Sequence, residues 1–150
     1  MRHALTEPGL GDPPGFTIGQ CHTQRMLSTE GREQSRRVAM AFQREGIAPA
    51  TVRSSAWCRC TETAQLAFGP AHVWPALNSF FQGRGDGTAQ TQAVLQGLVP
   101  LRAPANWVLV THQVNITALT GEFAAMGELL VVRPPPSPDG RLKVLARLLV

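Results

Sequence analysis

Apolar positions along the chain change period several times, and each change marks an element. Residues Glu7 to Gly19 are rich in Gly and Pro and read as loop. Ser28 then stands as a helix N-cap, with Glu30 and Glu33 near the positive end of the helix dipole. Val38, Ala41 and Phe42 follow at i, i+3 and i+4, and Gly46 supplies a stop, so a helix is expected from about Thr29 to Glu45. Ala50 to Ser54 reads as a short strand. A second helix is expected over Trp57 to Phe68, with Cys60, Ala64 and Ala67 on one face and Gly69-Pro70 ending it. Gly83 to Gly87 is a flexible loop, and Thr88 can cap a third helix that carries Val94, Leu95 and Leu98 inward.

Trp107 to Thr111 is a continuous apolar run, the pattern of a strand buried on both faces, and a helix follows over Val114 to Leu119. Leu129 to Arg133 and Leu142 to Val150 read as strands joined through Pro138-Asp139-Gly140, a hairpin signal. Strands alternating with helices predict an α/β fold: a three-layer α-β-α sandwich with a largely parallel central sheet and a C-terminal β-hairpin. The 150 residues fit a single domain, 1–150. Ligands of such sheets bind beyond the carboxyl ends of the strands, which nominates the Arg53 to Arg59 segment and His112.

Composition narrows the function classes. No apolar run reaches the roughly 18 residues of a membrane span, and 43% apolar with 16% charged residues excludes disorder. The net charge of +4 is carried by scattered arginines, Lys143 being the only lysine. With no dense basic stripe and no tyrosine, a nucleic-acid partner is not expected. Cys21, Cys58 and Cys60 are too few for a disulfide scaffold, although Cys21 could pair with Cys58 or with Cys60. Cys58 and Cys60, two apart on a helix, would chelate one metal poorly.

Three pieces carry chemistry: Arg2-His3-Ala4, the stretch from Ser54-Ser55 through Arg59 to Thr63-Ala64, and Val110-Thr111-His112 at a strand end. Together, in this order, they resemble the histidine phosphatase (phosphoglycerate-mutase-like) superfamily. Gln24-Arg25-Met26-Leu27-Ser28, followed by Gly31, resembles the family's approach to its first helix. The resemblance implies a small phosphatase acting on a phosphomonoester or phosphohistidine. His3 would be the nucleophile, Arg2 and Arg59 the phosphoryl clamp, and His112 a donor to the same oxygens. It implies neither metal nor cofactor, because arginines supply the positive field. Arg25, Arg53 and Arg84 are candidates for substrate binding. Ser54 and Ser55 read as turn formers. The loops Pro8 to Gly19 and Leu77 to Gly87 should frame the mouth, where Phe16, Phe80, Phe81 and Arg84 suit an anionic ligand with some apolar surface. A phosphorylated small molecule or a phosphoprotein is the expected substrate.

Two departures from the family pattern shape further expectations. Where many members carry an acid for the leaving group, this chain has Leu77-Asn78-Ser79, and Asp86 is the candidate substitute. In the family the Arg-His pair closes a buried strand, whereas only Met1 precedes Arg2 here. A missing first strand, a natural start further upstream, a fraying His3 and weak stability and activity are therefore expected. Upstream residues could also have held an export signal, so a cytoplasmic location is only the default. A decayed phosphate-binding or interaction domain of the same fold is the alternative reading.

Overall fold

The computed structural model describes residues 1–134, 136–138 and 140–150; Asp139, in the expected hairpin turn, lies outside the described residues. Helix α1 spans Thr29–Arg44, and the Ser28 hydroxyl accepts the Gly31 N–H as its N-cap. Strand β1 (Thr51–Ser54) leads into α2 (Cys58–Phe68). Strand β2 (His72–Val73) and a 3-10 turn (Pro75–Leu77) precede α3 (Gly87–Leu98). Strand β3 (Trp107–Val110) feeds α4 (Gln113–Thr120), and β4 (Leu129–Val132) pairs with β5 (Val144–Leu148) as the C-terminal antiparallel hairpin. The order β2-β1-β3 is parallel throughout. Among the described residues no helix is long and apolar enough to cross a membrane.

Strand periodicity sorts side chains onto two faces, and each face takes its own helices. Val52, Val108 and Val110 turn toward α2, where Trp57, Cys60 and Ala64 fill the layer. Trp107 and Leu109 turn the other way, against Val94, Leu95 and Leu98 of α3 and Leu119 of α4. The result is the sandwich that the alternating pattern implies. The short β2 was not anticipated, because two exposed residues leave no periodic signal.

The start of the chain does not fray. The Met1 ammonium donates to the Leu109 carbonyl at 2.9 Å, His3 N–H to Thr111 O at 3.0 Å, and Arg2 N–H to Glu128 O at 3.0 Å. Arg2 thus forms a parallel bridge to Thr111, beside β3, and places His3 at the sheet's carboxyl end. The expectation of a loose terminus is corrected by these bonds and by burial: His3 is 3% exposed and Ala4 is fully buried. An apolar groove of about 380 Å³ lies between β3 and β4, lined by Leu109, Leu130 and Val132 among others.

The next residues are seated on α1 and α2. Ala4 N–H donates to Thr63 Oγ1 at 3.0 Å, and Leu5 N–H to Gln34 Oε1 at 3.1 Å. The Gln34 amide in turn donates to Met126 O at 3.0 Å, clamping a second loop to the first. Gly31 permits the approach: a Cβ there would lie 1.9 Å from the Leu5 carbonyl oxygen, which is backbone and cannot swing aside. Gly31→Ala is expected to destabilise the fold by about 3 kcal/mol through overpacking, measured by urea unfolding. Unchanged stability would mean that the segment carrying His3 is not held against α1.

Candidate active site

A pocket of about 210 Å³ opens at the carboxyl ends of β1 and β3. Sheet topology delivers its residues from distant parts of the chain. His3 follows the Arg2 bridge, Arg59 stands in the first turn of α2 just after β1, and His112 lies between β3 and α4. Arg2, Arg25, Arg59 and Arg84 all line it, together with His3, Trp57 and His112.

The histidine protons are set by their partners. His3 Nδ1 lies 2.9 Å from the Ala4 carbonyl oxygen, which can only accept, so Nδ1 carries the proton and Nε2 keeps a free lone pair. Burial, reinforced by the charge of Arg59, lowers the His3 pKa to about 3, so the ring is neutral near pH 7. His112 Nδ1 faces Arg59 Nη2 at 3.5 Å and must accept. Its Nε2–H then donates to Ser55 Oγ at 2.8 Å. The Ser55 hydroxyl passes a bond of 3.3 Å to Asn78 Oδ1, which also accepts the Ala56 N–H at 2.8 Å. Ser55 therefore orients His112 rather than merely forming a turn. Burial, then the neighbouring His3 and arginines, keep the His112 pKa well below its ordinary value. The two rings meet edge to face with centroids 5.5 Å apart.

The guanidinium groups are only partly satisfied. Arg2 Nη1 donates to Ala124 O at 2.8 Å and Arg25 Nη1 to Gly9 O. Arg59 Nη1 donates to Asp12 Oδ1 at 2.6 Å. Yet the Nε atoms of Arg2, Arg25 and Arg59 are buried and have no protein partner. Three guanidinium groups line one cavity, an arrangement whose chemistry suits an anion.

Two nominated residues lie elsewhere. Asp86 does not line the pocket: its carboxylate accepts the Ala89 N–H at 3.0 Å and caps α3, the place expected for Thr88. Arg53 points to the opposite face of β1 from Val52 and Ser54, with its guanidinium 4.8 Å from the Trp74 ring centroid and 4.7 Å from that of Trp107. Strand alternation is the reason, since a residue one step from an inward-facing Ser54 must face away. Arg84 reaches the mouth and covers Phe16 at 4.6 Å; Phe81 also lines it, whereas Phe80 packs beside Gly87.

Sequence reasoning missed Asp12. It is the one carboxylate among the described residues lining the pocket. Its signal in the sequence is an acid inside the Gly/Pro-rich loop expected to frame the mouth. Cys21 pairs with Cys58, with Cα atoms 5.5 Å apart, and Cys60 is free and buried. Among the described residues no three His, Cys, Asp or Glu side chains are grouped to hold a metal ion.

The neutral histidines link the site to stability. Their folded pKa values lie below the unfolded value near 6.5, and burial lowers the Met1 ammonium from 8.0 to about 6. The unfolded chain therefore binds more protons, and stability rises with pH. The stabilisation is full above about pH 8 and is lost as pH falls toward the folded values. Thermal unfolding from pH 8 to pH 4 is expected to show a steadily falling Tm, with a shallower slope in His3→Gln. A flat profile would mean that these groups are not buried neutral.

The family model described as histidine phosphatase superfamily (branch 1) matches residues 1–93. No curated protein sequence matches significantly. Among solved structures, the protein histidine phosphatase SixA complexed with tungstate is similar at TM-score 0.67 and 20% identity, over 99% of this chain and 93% of that one. TTHB049 from Thermus thermophilus is similar at TM-score 0.65 and 24% identity, over 99% and 96%. Phosphoglycerate mutase from the same organism is similar at TM-score 0.62 and 23% identity, over 97% of each chain. These likenesses show the shared fold, and the family match settles membership: the chain belongs to the histidine phosphatase superfamily, branch 1.

Proposed function

We propose that the protein is a phosphatase that hydrolyses a phosphomonoester or a phosphohistidine through a covalent phosphohistidine on His3. The observation that carries this reading is the set of unpartnered Nε donors on Arg2, Arg25 and Arg59 beside a neutral histidine with a free Nε2. Phosphoryl transfer needs little beyond positioning and positive charge around the equatorial oxygens, and these groups supply both. Tungstate, held by the structurally similar SixA, is a tetrahedral oxyanion of the kind such a pocket would take.

In the first step His3 Nε2 bonds to phosphorus while the bond to the leaving group breaks and that group keeps its electron pair. Arg2 and Arg59 hold the equatorial oxygens. The arriving dianion raises the His112 pKa, so that Nδ1 gains a proton and can donate to an oxygen where it previously accepted from Arg59. Water then attacks phosphorus, the P–N bond returns its pair to His3, and inorganic phosphate leaves carrying the water's protons. Ala4 O keeps the His3 tautomer throughout.

The leaving group departs without a proton from the protein. Asp86 caps a helix, and Asp12 is ionised beside Arg59. Aryl phosphates should therefore turn over at least about 100-fold faster than alkyl phosphates, whose alkoxides need protonation. The direct test is an aryl phosphate assay in the presence of a chelator. His3→Ala should abolish turnover, and Arg59→Ala should lower kcat/KM by about 100-fold or more. Turnover that survives His3→Ala would overturn the nucleophile assignment. Phosphate binding without any turnover would favour a phosphate-binding domain.

A further inference from the structure

We propose that Asp12 is the positioning residue of the site: its carboxylate fixes the Arg59 guanidinium through Nη1, so that the remaining N–H groups are held in place for the substrate's phosphoryl oxygens. The inference deepens the phosphoryl-transfer reading and rests on it. Arg59 has five donors and a flexible stem, and a buried guanidinium without a counter-charge would be strongly destabilised. Asp12 supplies that charge within 2.6 Å of Nη1, in a pair whose side chains are only 5% and 7% exposed. The bond takes Nη1 alone. Nη2 remains at His112, and Nε has no partner.

Asp12 can act in this way because it is itself held from several sides. Oδ1 also accepts the Arg25 backbone N–H at 3.0 Å, and Oδ2 accepts Trp57 Nε1–H at 3.0 Å. The segment that follows Asp12 is tied to the same helix start that carries Arg59. The Cys21–Cys58 disulfide joins it to the residue before Arg59, and the Gln24 side chain bridges Thr17 O and the Cys58 N–H at 3.0 and 2.9 Å. Loop, Arg25 and α2 therefore converge on one carboxylate. Burial alone would raise the Asp12 pKa, but the bond and charge of Arg59, with the Arg25 and Trp57 donors, hold it below the usual range. An ionised carboxylate so engaged holds its neighbour; it does not release a proton.

The test is a double-mutant cycle on Asp12→Ala and Arg59→Ala, read by calorimetric binding of inorganic phosphate and of tungstate and by aryl phosphate kinetics. Asp12→Ala is expected to weaken binding of both anions about tenfold or more and to lower kcat/KM in parallel. In the Arg59→Ala background the same change should alter binding by less than about twofold, because the group it acts through is gone. Trp57→Phe keeps an aromatic ring but loses the bond to Oδ2; it should give a smaller loss of the same sign, and it serves if Asp12→Ala fails to fold. Binding that is unchanged or tighter in Asp12→Ala would overturn the proposal, since the carboxylate would then be idle or a competitor of the anion. A loss that persists in the Arg59→Ala background would also overturn it, by showing that Asp12 supports the loop and not the guanidinium. Anion binding by the parent protein without turnover would defeat the phosphatase reading while leaving the cycle on Asp12 decisive for the arginine.

Discussion

Positive charge concentrated around one pocket is the constraint that organises this molecule. Arg2, Arg25 and Arg59 converge on one pocket, and each leaves a buried N–H without a partner. The one carboxylate among the described residues lining that pocket, Asp12, is bound to Arg59. Like charges at such range repel one another, and a further negative charge among them would relieve that repulsion, so the arrangement favours an anion. The same field, added to burial, keeps both histidines neutral. A neutral His3 has a lone pair to offer, which connects the charge arrangement to nucleophilic chemistry.

The scaffold exists to bring these groups together and to hold them. Parallel strands end at the same level, so residues far apart in sequence arrive side by side. The segment around His3 is fastened on every side: to β3 by backbone bonds, to α2 through Thr63, and to α1 through Gln34 and the bare surface of Gly31. Backbone bonds do most of this fastening, and the polar side chains of Thr63 and Gln34 complete it from inside the core. Each has its partner, which is the condition for burying them without penalty.

The apolar groove between β3 and β4 marks where the two sheets fail to merge. Met1, Arg2 and His3 join them at one end. Those few bonds position the candidate nucleophile, so the geometry of the site leans on a short stretch of pairing. Ion pairing reinforces the region from outside, with Glu128 bound to Arg147 of β5 at 2.8 Å and to the Ala125 N–H at 2.7 Å.

Periodicity by itself determined the helices and the parallel strands β1 and β3, because burial on one or two faces leaves a regular trace in residue order; a turn signal added the hairpin, and the exposed β2 left no trace. Motif order, through the family resemblance, brought out Arg2, His3, Arg59 and His112; Arg59 and His112 also follow recognisable strands. Other assignments depended on direction and distance. Arg53 lies next to the motif in sequence, yet its place on the strand turns it between Trp74 and Trp107. Asp86 stood in the expected loop, but a helix N-terminus took its carboxylate. Asp12, in an irregular loop with no period to betray it, became the partner of Arg59 through contacts 47 residues apart. Local order encodes which face a residue takes within its own element; only tertiary packing decides which charges end up as neighbours, because that depends on where separate elements stop in space.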